Sequence, residues 1–425
     1  MRFPLKRVHI LLLLLFVAAA GMAVFIGTGT DTDPATASPP SSVYPEPAGG
    51  EPVESIEGPS SHAPLISGSE QPPPSAKPAA DGVGDLSDIS IIAAVKNEAV
   101  LEKLLATIGI KRAMEMLLAE SGGGAARDCH QEAHLIGRIG YRSEGEKAFG
   151  SCTADCHSGC YHGAMETFLN REGTANLAAS IDRICATFPT SFGRFECLHG
   201  VGHGVLAYVD YDLPEAITEC GKLSDSFSQT SCHGGMFMEN ILTGQGLGAG
   251  GPGVHATNWV NRTDPYFPCN KLGDAFDVQY QCYQMQTSWM LTLSGYDFKT
   301  VAQECVTVPR DDMRSVCFKS LGRDAAGHTL RNADKIVALC DYVPREADYY
   351  DQCVIGAVNV IVDFWGPGLK GQASELCVKI SDAAGKEICY QTLAGRLPGI
   401  FAKQSDRQAV CATFEPAFIS LCAGT

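Results

Sequence analysis

The sequence predicts an all-α protein, an α-solenoid of about seven to nine disulfide-bridged helical hairpins that follows a membrane segment and a disordered linker. Cysteine pairs recur with a period of about 36 residues, and apolar residues between them keep three-to-four spacing. The N-terminal residues have neither feature. We divide the chain into 1–27 (membrane segment), 28–90 (linker), 91–268 (N-terminal helical units) and 269–425 (C-terminal hairpins).

The N-terminus predicts a segment that enters a membrane. Arg2, Lys6 and Arg7 precede the uncharged stretch Val8–Gly27, which is long enough to span a bilayer. Cations before this stretch and none soon after it place the N-terminus inside and the remainder outside. Two alternatives remain: a retained signal anchor, or a signal peptide that is cleaved behind Ala18–Ala20.

Residues 28–90 have the composition of a disordered, acidic linker. They contain 12 of the 23 prolines and ten acidic residues, against a single lysine, Lys77. The whole chain has a formal charge of −16 and no basic run after its first seven residues, which excludes nucleic acid as a partner. Its 18 cysteines favour an oxidising, extracytoplasmic compartment.

The globular part begins with two amphipathic helices, which the apolar spacing from Ile91 to Leu118 predicts. Disulfide-bridged hairpins then follow, because seven cysteine pairs are each 11 to 13 positions apart. An apolar residue three positions after each first cysteine suits the end of a helix that buries one face. The seven pairs are Cys185 and Cys197, Cys220 and Cys232, Cys269 and Cys282, Cys305 and Cys317, Cys340 and Cys353, Cys377 and Cys389, Cys411 and Cys422.

The four remaining cysteines allow two interpretations. In the first, Cys129, Cys152, Cys156 and Cys160 form two more disulfides, with Cys160 paired to Cys152 or Cys156. In the second, Cys152, Cys156 and His157 form a Cys-x3-Cys-His string that attaches haem covalently. We favour the disulfides, since one such match is weak evidence in a chain this rich in cysteine.

Period and cysteine placement over 185–425 resemble the architecture of the tetratricopeptide and Sel1-like repeat families, whose consensus residues are absent. The resemblance implies a concave face that binds a protein or peptide. The period is broken once, between Cys232 and Cys269, by about 14 additional residues in a glycine-rich insert that lies within 243–268. We expect this insert to be a loop that closes over a site, and not a dinucleotide-binding motif.

Histidine supplies the strongest chemical signal. Seven of the 11 histidines fall between residues 130 and 233, and three pairs with spacing four suit metal ligands on one helical face: His130 with His134, His162 with Glu166, and His199 with His203. Histidine does not recur at the equivalent positions of the C-terminal hairpins, so the repeat itself does not require it. The predicted metal ligands are His130, His134, His162, Glu166, His199, His203, His233 and Glu239.

A metal site built across successive helical repeats resembles that of deoxyhypusine hydroxylase, although the adjacent His-Glu dipeptides of that family are absent. Nitrogen and carboxylate ligands suit Zn, Fe, Mn or Cu. Such a site supports oxygen activation or metal-assisted hydrolysis. The GxSxG, HExxH and P-loop signatures are absent, so the substrate is not identified. Two hypotheses follow: a membrane-tethered metalloprotein that is an enzyme, or a non-catalytic scaffold that binds a surface protein or peptide.

Overall fold

The computed structural model describes residues 89–122, 129–153, 155–156, 158–248, 255–365 and 372–422. Helix is the only regular secondary structure in these ranges, which confirms the all-α class. None of their helices is long and apolar enough to cross a bilayer. The predicted membrane segment and the linker, apart from Ile89 and Ser90, lie outside the described residues.

From α6 onward, short helices of eight or nine residues alternate with long helices of 15 to 19 residues, except where α9 and α10 follow each other. The helices are α1 (Ile91–Ala94), α2 (Glu98–Glu120), α3 (His130–Glu144), α4 (Lys147–Ser151), α5 (Gly159–Glu172), α6 (Leu177–Cys185), α7 (Ser191–Tyr208), α8 (Leu213–Cys220), α9 (Ser226–Gly244), α10 (Phe276–Ser294), α11 (Phe298–Val306), α12 (Arg314–His328), α13 (Ala333–Cys340), α14 (Tyr349–Trp365), α15 (Gln372–Lys379), α16 (Ala383–Ile400) and α17 (Gln404–Cys411). Short 3₁₀ helices cover Cys269–Lys271, Asp311–Met313 and Pro416–Cys422.

The two N-terminal helices bury the apolar residues that predicted them. Leu101, Leu104 and Leu117 of α2 are fully buried. Gly109 interrupts the helical geometry of α2 with a φ of 77°, a backbone conformation that glycine adopts without strain. The predicted entry helices are therefore present, and the second of them is kinked.

All 18 cysteines form disulfides, and the seven predicted pairs are confirmed. Cys160 bonds to Cys152, which leaves Cys129 with Cys156 and settles the open alternative. In most hairpins the first cysteine lies at or near the end of a short helix and the second lies in the following long helix. Nine disulfides indicate an oxidising, extracytoplasmic environment.

The helices begin at polar residues that satisfy their first backbone N–H groups. Asp212 accepts a hydrogen bond from the N–H of Glu215, at 3.0 Å, and Asp225 accepts one from that of Ser228, at 2.9 Å. Side chains before α7, α11, α13 and α16 do the same. This local capping fixes where each helix starts and therefore which face it buries.

The long helices pack against one another in chain order, α3 on α5, α5 on α7, α7 on α9 and onward to α16, and α16 also contacts α7. Glycine permits a close approach at these contacts. A Cβ at Gly163 of α5 would lie 1.9 Å from the carbonyl oxygen of His134 in α3. The same distance separates a Cβ at Gly356 of α14 from the carbonyl oxygen of Lys319 in α12. Side chains on adjacent long helices therefore come close to one another.

The unit that begins with Cys269 departs from the hairpin pattern, because irregular backbone and the 3₁₀ helix Cys269–Lys271 precede α10 in place of a short α-helix. Gln286 donates to the carbonyl oxygens of Pro265 (2.7 Å) and Phe267 (2.9 Å), and Gln279 donates to that of Cys269 (2.7 Å). The second half of the insert is thus held by α10, and its closure over a site stays a prediction. Residues 249–254 of the insert lie outside the described residues.

Candidate metal centre

Five buried histidine side chains from α3, α5 and α7 form one continuous cluster. His162 lies in its middle. The centroid of its ring is 5.3 Å from those of His130 and His134, 4.6 Å from that of His203 and 5.6 Å from that of His199. The predicted spacing of four thus brings both histidines of α3 and both of α7 to the face that packs on α5.

Three of these residues have ligand atoms close enough to share one ion. One ring nitrogen each from His130, His134 and His162 lie within 4.8 Å of one another. Their side chains are at most 8% exposed. A metal ion bound by these three histidines would therefore be shielded from bulk water by the surrounding protein.

Hydrogen bonds fix the orientation of the two α3 histidines. His134 Nδ1 donates to Glu166 Oε1 at 2.8 Å, and His130 Nδ1 donates to the carbonyl oxygen of Cys156 at 3.0 Å. Arg138 also donates to Glu166, at 2.8 Å. Burial alone would raise the pKa of Glu166, but His134 and Arg138 outweigh burial and lower that pKa to about 2. Since a carbonyl oxygen and an ionised carboxylate only accept, both Nδ1 atoms carry the proton.

His203 is held in the same way on α7. Its Nδ1 donates to Glu239 Oε2 at 2.8 Å, and Glu239 Oε1 accepts hydrogen bonds from Tyr211 (2.7 Å) and Thr243 (3.1 Å). Burial is the main reason why the pKa of His203 falls to about 3, so its ring is neutral at pH 7. His134 and His203 thus each donate to a carboxylate, which is the arrangement that orients metal-ligating imidazoles.

The lone pairs on the inner side of the cluster have few hydrogen-bond partners. Among the described residues no group hydrogen-bonds either ring nitrogen of His162, Nδ1 of His199 or Nε2 of His203. Burial, reinforced by the neighbouring histidines, holds the pKa of His162 and of His199 well below the usual range. Neutral imidazoles with unused lone pairs are suited to bind a transition metal.

The predicted ligand set divides into three groups. The five clustered histidines are brought together, whereas Glu166 and Glu239 act behind them as hydrogen-bond acceptors. His233 does not join the ring contacts of the cluster in the described residues, because it turns to the carbonyl oxygen of Ile217 (3.4 Å) and the carboxylate of Asp277 (3.5 Å). The neighbouring Gly234 lies against the His199 ring, since a Cβ there would be 3.5 Å from His199 Nδ1.

The haem hypothesis is wrong. Cys152 and Cys156 are both consumed in disulfides, so no sulfur is left at that string to bond a haem vinyl group. His157 lies outside the described residues.

Sequence reasoning missed two groups that support the histidines. Arg138 lies four residues after His134, on the same face of α3 as His130 and His134. This spacing could have identified it from the sequence. Tyr211 follows the end of α7, and no sequence pattern connects it with Glu239. Both groups bind the carboxylate behind a histidine.

The cluster borders two adjoining cavities. His162 and His199 line one of about 230 Å³, whose other walls come from α9, α10, α12, α14 and α16. His130 lines the second, of about 200 Å³. A ligand in either cavity would reach the imidazoles directly. No protein-family model, curated protein or solved structure compared with the chain matches it.

Proposed function

We propose that this chain is an extracytoplasmic metalloenzyme, in which His130, His134 and His162 bind one divalent transition metal beside a substrate cavity. His203 and His199 are available to complete the coordination. Imidazole ligands without thiolate suit Zn, Fe, Mn or Cu. Three histidines with a further position open to a cavity are typical of catalytic metal sites, whereas structural sites are closed.

The observation that carries this proposal is the contact between His130 Nε2 and His134 Nε2, which are 3.1 Å apart. When both Nδ1 atoms donate to acceptors, two neutral imidazoles turn their Nε2 lone pairs toward each other, and a contact this short then needs a metal ion or a shared proton between them. Two nitrogen ligands at about 2.0–2.1 Å from one ion are themselves about 2.9–3.4 Å apart for angles between 90° and tetrahedral. The observed separation fits a shared ion.

Hydrolysis is the reaction that this centre supports with the fewest additional components. An ion held by His130, His134 and His162 would lower the pKa of a bound water and so supply the nucleophile for hydrolysis at neutral pH. Oxygen activation would need a reductant as a further substrate besides oxygen and the metal. We therefore place metal-assisted hydrolysis before oxygen activation.

The stacking of the hairpins and the role of the N-terminal residues are part of the same proposal. We infer that the bridged hairpins stack as an α-solenoid and that residues 1–27 tether it outside a membrane, with 28–90 as the stalk. The order of helix contacts supports the first inference. The nine disulfides support the compartment.

Metal content tests the proposal. The full chain is produced in an oxidising compartment, purified, and measured by mass spectrometry of its metals. We expect one ion per chain in the wild type and in His328→Ala, which alters an exposed histidine, and none in His134→Ala/His162→Ala. Replacing His199 and His203 together by Ala should also weaken binding while the helical circular dichroism signal is retained.

A wild-type protein that carries no metal, and binds none of Zn, Fe, Mn or Cu when these are added, would refute the proposal. A shared proton would then account for the contact between the two Nε2 atoms, and the scaffold that binds a protein or peptide would become the leading hypothesis. Where a double variant fails to fold, the single variant His162→Gln gives the same comparison.

A further inference from the structure

The cavity beside His162 and His199 contains a lysine, Lys319, that forms no ion pair with the described residues, although its charge also acts on the Asp363 carboxyl. Lys319 of α12, half-buried in its wall, donates to the hydroxyl of Tyr280 at 2.7 Å, and its Nζ lies 5.4 Å from the centre of the Tyr280 ring. No carboxylate in the described part of the chain forms an ion pair with Lys319. Its charge is thus available to a ligand.

The other cations of this cavity are paired. Arg323 forms an ion pair with Asp324 at 2.7 Å, and Arg396 forms one with Asp363. Arg396 keeps a buried Nε that has no hydrogen-bond partner among the described residues, whereas Arg323 also donates to Ser288 and Met285 and has fewer N–H groups left for an anion. These two ion pairs therefore add N–H donors but no net charge. The net positive charge of the cavity comes from Lys319.

One buried acid remains in the cavity wall, and it does not cancel Lys319. Glu196 is only 2% exposed, and burial, with a smaller contribution from Asp363, raises its pKa to about 8 in spite of Ser158 and Arg396, which lower it. At pH 7 Glu196 is therefore largely protonated and uncharged. It presents a neutral carboxyl group to the cavity.

The remaining wall is partly apolar. Met238 and Met285 line both cavities, and Phe195 and Val360 lie beside them in the larger one. At about 230 Å³ it is smaller than the pockets of about 300–1,000 Å³ that hold drug-sized molecules. Its shape and chemistry suit a compact ligand with one charged end and a short apolar part.

We propose that this cavity binds a small organic anion, whose carboxylate or phosphate is held by Lys319 with Arg323 and Arg396 while its apolar part lies on Met238 and Met285. The buried and unpartnered nitrogens of His162 and His199 face the same cavity. The anion is then the substrate class of the metal centre, and this last assignment alone rests on the proposed function.

Titration calorimetry on the full-length protein tests the inference with three probes: hexanoate, hexyl phosphate and the uncharged hexan-1-ol. We expect one of the two anions to bind and hexan-1-ol not to bind, and the preferred anion identifies the head group. Lys319→Met should weaken binding at least tenfold and Lys319→Arg should restore most of it. Lys299→Met removes an exposed lysine from α11 and should leave binding unchanged.

Equal binding of the anions and the alcohol, equal binding by Lys319→Met and wild type, or no binding of any probe at millimolar concentration would each overturn the inference. The two proposals fail separately. A protein without metal that still binds an anion through Lys319 refutes the metal centre and keeps the cavity. A protein with one ion per chain that binds none of the probes refutes the cavity and keeps the metal centre.

Discussion

Gly163→Ala perturbs the metal centre without changing any of its ligands. The new Cβ would lie 1.9 Å from the carbonyl oxygen of His134, and contacts below 3.0 Å force a displacement, so α3 and α5 must separate by about 1.1 Å (3.0 minus 1.9). Overpacking of this kind costs about 1–3 kcal/mol of stability. Metal sites tolerate deviations of only about 0.2 Å, so moving His134 away from His162 should also weaken metal binding by at least about 10- to 100-fold.

Gly356→Ala is the matched control, because its Cβ would lie equally close, at 1.9 Å, to the carbonyl oxygen of Lys319 between α12 and α14. The assay combines thermal unfolding with competition against a metal chelator. We expect both variants to lose similar stability and only Gly163→Ala to lose metal affinity. If Gly163→Ala keeps the affinity of the control, His134 and His162 do not share an ion and the geometric argument fails.

Four further outcomes follow from the charges and disulfides. Glu166→Gln should lower metal affinity about 10- to 100-fold in chelator competition, because a neutral amide no longer orients His134 as a carboxylate does. The metal-free protein should lose about 1 kcal/mol of stability between pH 6.5 and 5.5 from His203 alone, and about 1.4 kcal/mol per further pH unit down to its folded pKa. Its folded pKa of about 3 lies below the unfolded value of 6.5, so protons favour the unfolded chain, as urea unfolding at pH 6.5 and 5.5 can show. The pH dependence of stability that comes from Glu196 has the opposite sign. Its folded pKa of about 8 exceeds the unfolded value of 4.5, so its contribution to the free energy of unfolding is lost as the pH rises between these values. Glu196→Gln should therefore be more stable than wild type by about 3 kcal/mol at pH 7, but not at pH 4.5. Replacing Cys340 and Cys353 together by Ser should cost roughly 3 kcal/mol in urea unfolding, since that disulfide closes a short loop.

The hairpins could be predicted because a separation of 11 to 13 residues between bonded cysteines leaves room for little more than the end of one helix, a turn and the start of the next. The prediction of a short α-helix failed at Cys269, because Pro265 and Pro268 disfavour one. Side chains of α10 instead donate hydrogen bonds to the carbonyl oxygens that such a helix would have used. The cysteine spacing carried no information on this, because a disulfide constrains its two ends and not the backbone that leads into them.

The ligand cluster was only partly predictable for a related reason. Spacing of four places two side chains on one face of a helix, but it does not say which face meets the neighbour. His233 shows the difference, since it lies one position before Gly234 and therefore points about 100° away from it around α9. The contact of α7 with α16, which brings Arg396 to the cavity, joins residues far apart in sequence that no local pattern connects.

One position of the repeat explains how the proposed metal centre and the proposed anion cavity come to adjoin. The residue two positions after the second cysteine faces the larger cavity in five successive units, namely His162, His199, Gly234, Gln284 and Lys319. Each long helix thus delivers one side chain to the same space, and the close helix contacts at glycine keep those side chains within reach of a single small molecule. The bridged hairpins supply the geometry, while the residue at this position decides whether a unit contributes a metal ligand, an empty space or a charge. Substitution at this position should therefore alter the chemistry of the cavity with little effect on the fold.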